Sequence, residues 1–186
     1  MTVNQNALRI LSAGIAIAAA AVAASMASCT ATSVVPGALD PGAGSSLAMI
    51  VPASGVQIYE CRAKKDDVGA FEWAFVAPDA ELYDARGNVI GRHGAGPMWV
   101  AADGSRVKGA VMARVDAPSS GAIPWLLLTT KSMGPKGSFS PVTYIQRVNT
   151  LGGTQPAKPC NADFVGKQTG VHYTADYRFF VSTSTN

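Results

Sequence analysis

The stretch "VHYTADYRFFVS", residues 171–182, decides the fold. Val171, Tyr173, Ala175, Tyr177, Phe179 and Val181 fall on one side of an extended chain, and His172, Thr174, Asp176 and Arg178 on the other. Side chains of a strand alternate with a period of two, so this pattern predicts a strand with one apolar, aromatic core face. The opposite face meets solvent or lines a pocket.

Working back along the chain, the same signals recur. "GVQIYECRA" (55–63), "FEWAFVA" (71–77), "AELYD" (80–84) and "NVIG" (88–91) are short and rich in β-branched or aromatic residues. "SRVKGAVMARVDA" (105–117) and "PVTYIQRVNT" (141–150) continue the series. "IPWLLLTT" (123–130) is an unbroken apolar run, which suits a strand buried on both faces. "ARGN" (85–88) and "ADGS" (102–105) read as hairpin turns, because glycine supplies a positive φ and Asn or Asp tolerates it. No amphipathic helical period runs through residues 47–186. Their number, roughly 140, suits one domain. The expectation is a single all-β domain, an antiparallel sandwich or partly closed barrel.

The front of the chain reads differently. "MTVNQNALR" carries Arg9 and no acid, and the uncharged, alanine-rich run "ILSAGIAIAAAAVAAS" follows, then "MASC" at 26–29. A basic start, an apolar run and small residues before a cut site predict a secretory signal over 1–28. A membrane span needs roughly 20 strongly apolar residues, which a run of alanines supplies poorly. "MASC" also resembles the lipobox of bacterial lipoproteins, which implies that Cys29 is acylated. The alternative is ordinary cleavage after Ala27. Residues 29–46, rich in Pro, Gly, Ala, Ser and Thr, are expected to form a flexible tether.

Three cysteines are an odd number for an exported chain. With Cys29 acylated, Cys61 and Cys160 remain as a pair, expected as a disulfide in an oxidising compartment. Two free thiols are the alternative. The expected localisation is the periplasm or the outer membrane, with the membrane as a partner through the lipid anchor.

The formal net charge of +3 has no basic stripe with interleaved aromatics behind it, so nucleic acid is not an expected partner. The segment "GRHGAGPMW" (91–99) admits two readings. Gly91, Gly94 and Gly96 permit a sharp path, Pro97 fixes the entry to a strand, and Trp99 enters the core. Alternatively His93 is an exposed base or ligand on a loop, with Trp99 as a stacking surface. There are only two histidines, His93 and His172. With Asp176, Asp103 or Glu60 they make the smallest credible metal set, although His172 and Asp176 lie about 13 Å apart along a strand. No metal or cofactor is expected. Serine-hydrolase chemistry lacks its G-x-S-x-G elbow, and a pairing of Cys61 with Cys160 removes a thiol nucleophile. Glu60, Glu72, Asp79, Glu81 and Asp84 leave carboxylate-pair chemistry open, beside the simpler reading that they are solvated surface. Aromatic residues, Tyr59 and Trp99 foremost, on an open face with Gln146, suggest a binding platform for a small molecule or a carbohydrate.

"GVQIYEC", "WAFVAPDAELYD", "GRHGAGPMW", "AIPWLLL", "VTYIQRVNTLGG" and "YTADYRFF", in that order, resemble the family designated domain of unknown function (DUF) 3455. The resemblance implies a secreted or envelope protein of bacteria, with relatives in fungi, and matches Cys61 and Cys160 to two cysteines of the family pattern. It carries no catalytic residues. Members often have Tyr after the motif histidine, where this chain has Gly94. Some fungal relatives bear a malate dehydrogenase label, but "GAGPMW" lacks the strand–GxGxxG–helix unit that such chemistry needs. The expected role is a non-enzymatic binding or structural module of the cell envelope. An envelope enzyme, metal-assisted or carboxylate-based, using His93, His172 and an acid, is the alternative.

Overall fold

The computed structural model of the protein describes residues 34–183; the expected signal and Cys29 lie outside them. Eight strands follow one another: β1 (Ser45–Ala63), β2 (Phe71–Tyr83), β3 (Val89–Gly94), β4 (Met98–Ala101), β5 (Arg106–Val115), β6 (Trp125–Ser132), β7 (Val142–Gly152) and β8 (Gln168–Ser182). Each pairs antiparallel with the next, and β8 pairs back onto β1, so the sheet closes into a barrel in sequence order. Of the two all-β architectures expected, the chain adopts the barrel, and it closes completely.

Closure leaves no unpaired edge, and bulges supply the necessary curvature. The register slips at Ile58/Tyr59, Val111/Ala113 and Val148/Leu151, among other places. The segments 71–77 and 80–84, read as two strands, form the single strand β2. Pro78 sits within it opposite Gln57, beside the bulge at Ile58/Tyr59. Both expected hairpin turns form, with Gly87 and Gly104 at φ 83° and 84°.

The alternation of residues 171–182 sets the interior. Tyr173, Ala175, Tyr177 and Phe179 are buried in the main core with Val51, Leu82, Trp99, Leu128 and Ile145. Because the strands run alternately up and down, the β2–β3, β4–β5 and β6–β7 connections gather at one end of the barrel. Phe139 of the β6–β7 connection plugs that end, its ring edge-on to Phe179 at 4.9 Å. Its amide donates to Ser105 Oγ, which donates to Asp103, and the Ser138 amide donates to the same carboxylate at 2.7 Å. These bonds hold the Asp103 carboxyl far below its usual range, the Ser105 hydroxyl first among them. Asp103 is thus a turn-fixing acid.

A second cluster lies on the outer face of the wall. Trp125 and Leu127 point away from the interior that Leu128 enters, and they pack with Val148 and Leu39. The double-sided burial expected for "IPWLLLTT" is therefore real. Its outer cover comes from the stretch expected as a flexible tether: a 3-10 turn over Gly37–Leu39 buries Leu39 completely, and Val35 packs beside it. β1 also begins inside that stretch, at Ser45.

Candidate functional site

The opposite end of the barrel carries the β3–β4 turn, the β5–β6 connection and the disulfide between Cys61 on β1 and Cys160 in the β7–β8 connection. Here the interior is hollow. A cavity of about 640 Å³ lies between Tyr59, Ala77, His93, Pro97, Leu126 and Arg147. That volume falls within the range of small-molecule sites. Exposed apolar side chains, Phe75, Val76 and Val111, border it, with Arg114 beside them.

The segment 91–99 builds one wall. It is a hairpin, β3–β4, whose turn holds Gly96 at φ 94°. Gly91 is required by close approach, since a Cβ there would lie 2.4 Å from the Val100 carbonyl oxygen. His93 and Trp99 are cross-strand neighbours on the inner face. Their rings stack at 4.1 Å with planes 13° apart, and Tyr177 stands edge-on to both. His93 Nδ1 lies 3.0 Å from the Met98 carbonyl oxygen, a contact that requires the proton on Nδ1. The neutral ring therefore offers Nε2 only as an acceptor. Burial, reinforced by the charge of Arg147, pushes the His93 pKa down to about 3. Such a ring is a poor base at neutral pH, because it binds a proton too weakly.

Several polar groups of the interior are donors. Arg147 follows the buried Ile145 by two residues, so it too faces inward, next to Tyr177 on β8. Its Nε and Nη2 donate to the Pro124 carbonyl oxygen at 3.1 and 2.8 Å. Tyr59 donates to the Gly153 carbonyl oxygen at 2.6 Å, and the Tyr173 and Tyr177 hydroxyls meet at 3.2 Å. Burial raises the pKa of all three tyrosines, so they stay neutral. Gln57 Nε2 and Trp99 Nε1 are buried without a hydrogen-bond partner. Among the described residues no carboxylate lines the cavity.

Three of the four residues expected to bind a ligand, Tyr59, His93 and Trp99, line this cavity. Gln146 does not. It faces the outer cluster, where its Nε2 donates to the Leu39 carbonyl oxygen, and its neighbour Arg147 takes the inner position. Strand alternation placed the two on opposite faces but did not say which face was inner.

The histidine pair expected for an enzyme does not assemble. His172 is exposed on the outer wall, with Nε2 3.3 Å from Ser54 Oγ, while His93 is buried inside. The acids are equally dispersed: Glu60 pairs with Arg62 at 2.7 Å, Asp176 accepts from Asn149, and Asp103 lies at the plugged end. Among the described residues no three His, Cys, Asp or Glu side chains are grouped to hold a metal ion.

No curated protein and no solved structure matches the chain. One family model does, that described as protein of unknown function (DUF3455), over residues 41–181. That span takes in every residue of the barrel strands except Ser182, the last of β8, and all the residues that line the cavity. The chain belongs to the DUF3455 family.

Proposed function

We propose that this protein is a non-enzymatic binding module of the cell envelope that holds a small, largely apolar molecule inside its barrel. The observation that carries the reading is the hollow end of the barrel, about 640 Å³ with apolar side chains at its border, in a fold whose other end is plugged by Phe139. An enclosed ligand suits this geometry better than a sugar laid on an open aromatic face, because Trp99 is buried and Gln146 points away. The buried, weakly basic His93 and the outward His172 argue against acid–base chemistry at the site.

Export and anchoring rest on residues 1–29, where a basic start, an apolar run and "MASC" precede the tether. Acylation of Cys29 would fix the barrel to a membrane. Labelling with an alkynyl fatty acid in a bacterial host tests this: label on the wild type and none on Cys29→Ala supports it, and no label on either refutes it.

The binding reading is tested with the neutral, environment-sensitive fluorophore N-phenyl-1-naphthylamine. Saturable enhancement by the purified protein, lost when Leu126→Trp fills the cavity, supports it. Enhancement that is absent, or indifferent to that substitution in a folded variant, refutes it.

A further inference from the structure

Arg147 is a cation placed where a cation is costly. It is only partly exposed, it lies among Tyr59, His93, Tyr173 and Tyr177, and its charge acts on all four. Burying a charge away from water costs several kcal/mol unless it is paired. The ion pairs of the described residues are Arg62–Glu60 and Arg92–Glu81, so Arg147 has no carboxylate partner among them.

The Pro124 carbonyl engages Arg147 through two N–H groups. A guanidinium carries five, in a planar fork that matches a carboxylate. The rest of the fork lies at the cavity, beside the Tyr177 hydroxyl. Two further donors on the same cavity, Gln57 Nε2 and Trp99 Nε1, are buried and unpartnered. Cation and donors together, with no acid on the wall among the described residues, make a site electrostatically suited to an anion. The apolar border of Phe75, Val76 and Val111 suits a hydrocarbon body.

We infer that the ligand is an amphipathic organic acid, its carboxylate bound by Arg147 inside the barrel and its apolar body directed to the mouth. This deepens the binding reading of the preceding subsection and rests on it. A structural role alone, tying the β5–β6 connection to β7, needs donors to the Pro124 carbonyl but no charge.

The test compares decanoate with decanol by isothermal titration calorimetry on the purified protein at neutral pH, both below their aggregation limits. The chains match in length, and only the headgroup charge differs. Charge-assisted hydrogen bonds are worth enough to predict at least about tenfold tighter binding of decanoate. Arg147→Gln should abolish that preference. Equal binding of the two ligands by the wild type, or a preference that survives Arg147→Gln, overturns the inference and leaves the cavity reading standing. Binding of neither ligand overturns both. If Arg147→Gln does not fold, the ligand pair on the wild type decides alone.

Discussion

Contact with Trp99 and Tyr177, close to the Arg147 cation, keeps the His93 imidazole neutral in the folded protein, with a pKa of about 3. The unfolded chain protonates the same ring near its ordinary value of about 6.5. Between those values the unfolded state binds more protons, so stability is full above about pH 6.5 and falls as the pH drops toward 3. Urea unfolding at pH 7 and pH 5 should differ by about 2 kcal/mol in the wild type. His93→Phe should remove most of that difference. An equal slope in both proteins would show that His93 protonates normally. At this scale the sequence was half legible. The glycines of "GRHGAGPMW" announced a turn, and both of its readings contain part of the result: the turn is structural, and His93 and Trp99 wall a cavity, although His93 is buried and not exposed. Arg147 was harder to see. Charge alone would send it outward, and only the covering of the outer wall by Leu39, with Gln146 bound to it, explains why the arginine faces in.

Strands with strict alternation, such as β8, could be placed from sequence because one face is core and the other is not. β2 could not, because Pro78 and Asp79 look like a break; the proline sits in the strand next to a bulge in β1 and does not end it. The segment around Leu39 was hidden for another reason. A single leucine among Pro, Gly and Ala has no periodicity, yet it covers the outer side of Trp125 and Leu127. Truncating a fully buried leucine costs about 2–5 kcal/mol. Leu39→Ala should therefore lower unfolding stability within that range and shift Trp125 emission to longer wavelength. Unchanged stability and emission would show that the 34–40 segment is not part of the folded unit.

For the whole molecule, the Cys61–Cys160 disulfide joins residues 99 apart, from β1 to the β7–β8 connection at the hollow end. Cross-linking a loop of about 100 residues is worth up to about 4.7 kcal/mol by chain entropy, and losing a native disulfide typically costs about 2–5 kcal/mol. Replacing both cysteines by serine should lower stability by such an amount in denaturant titrations, whereas a change under about 0.5 kcal/mol would mean that the closed sheet alone fixes this end. The cysteine count made the pairing readable, and strand spacing made the fold class readable. Complete closure was not readable, because it depends on β1 reaching back to Ser45, where glycine and serine mask the strand. The cavity, too, is a product of closure and left no local trace in the sequence.

The most direct test of that cavity as a binding site is an isotope-edited nuclear Overhauser measurement on the protein saturated with N-phenyl-1-naphthylamine. The account predicts contacts from the ligand's ring protons to Tyr59, Leu126 and Trp99, all on the inner wall. Contacts confined to outward residues such as His172 and Tyr144, or no contacts at saturation, would contradict it.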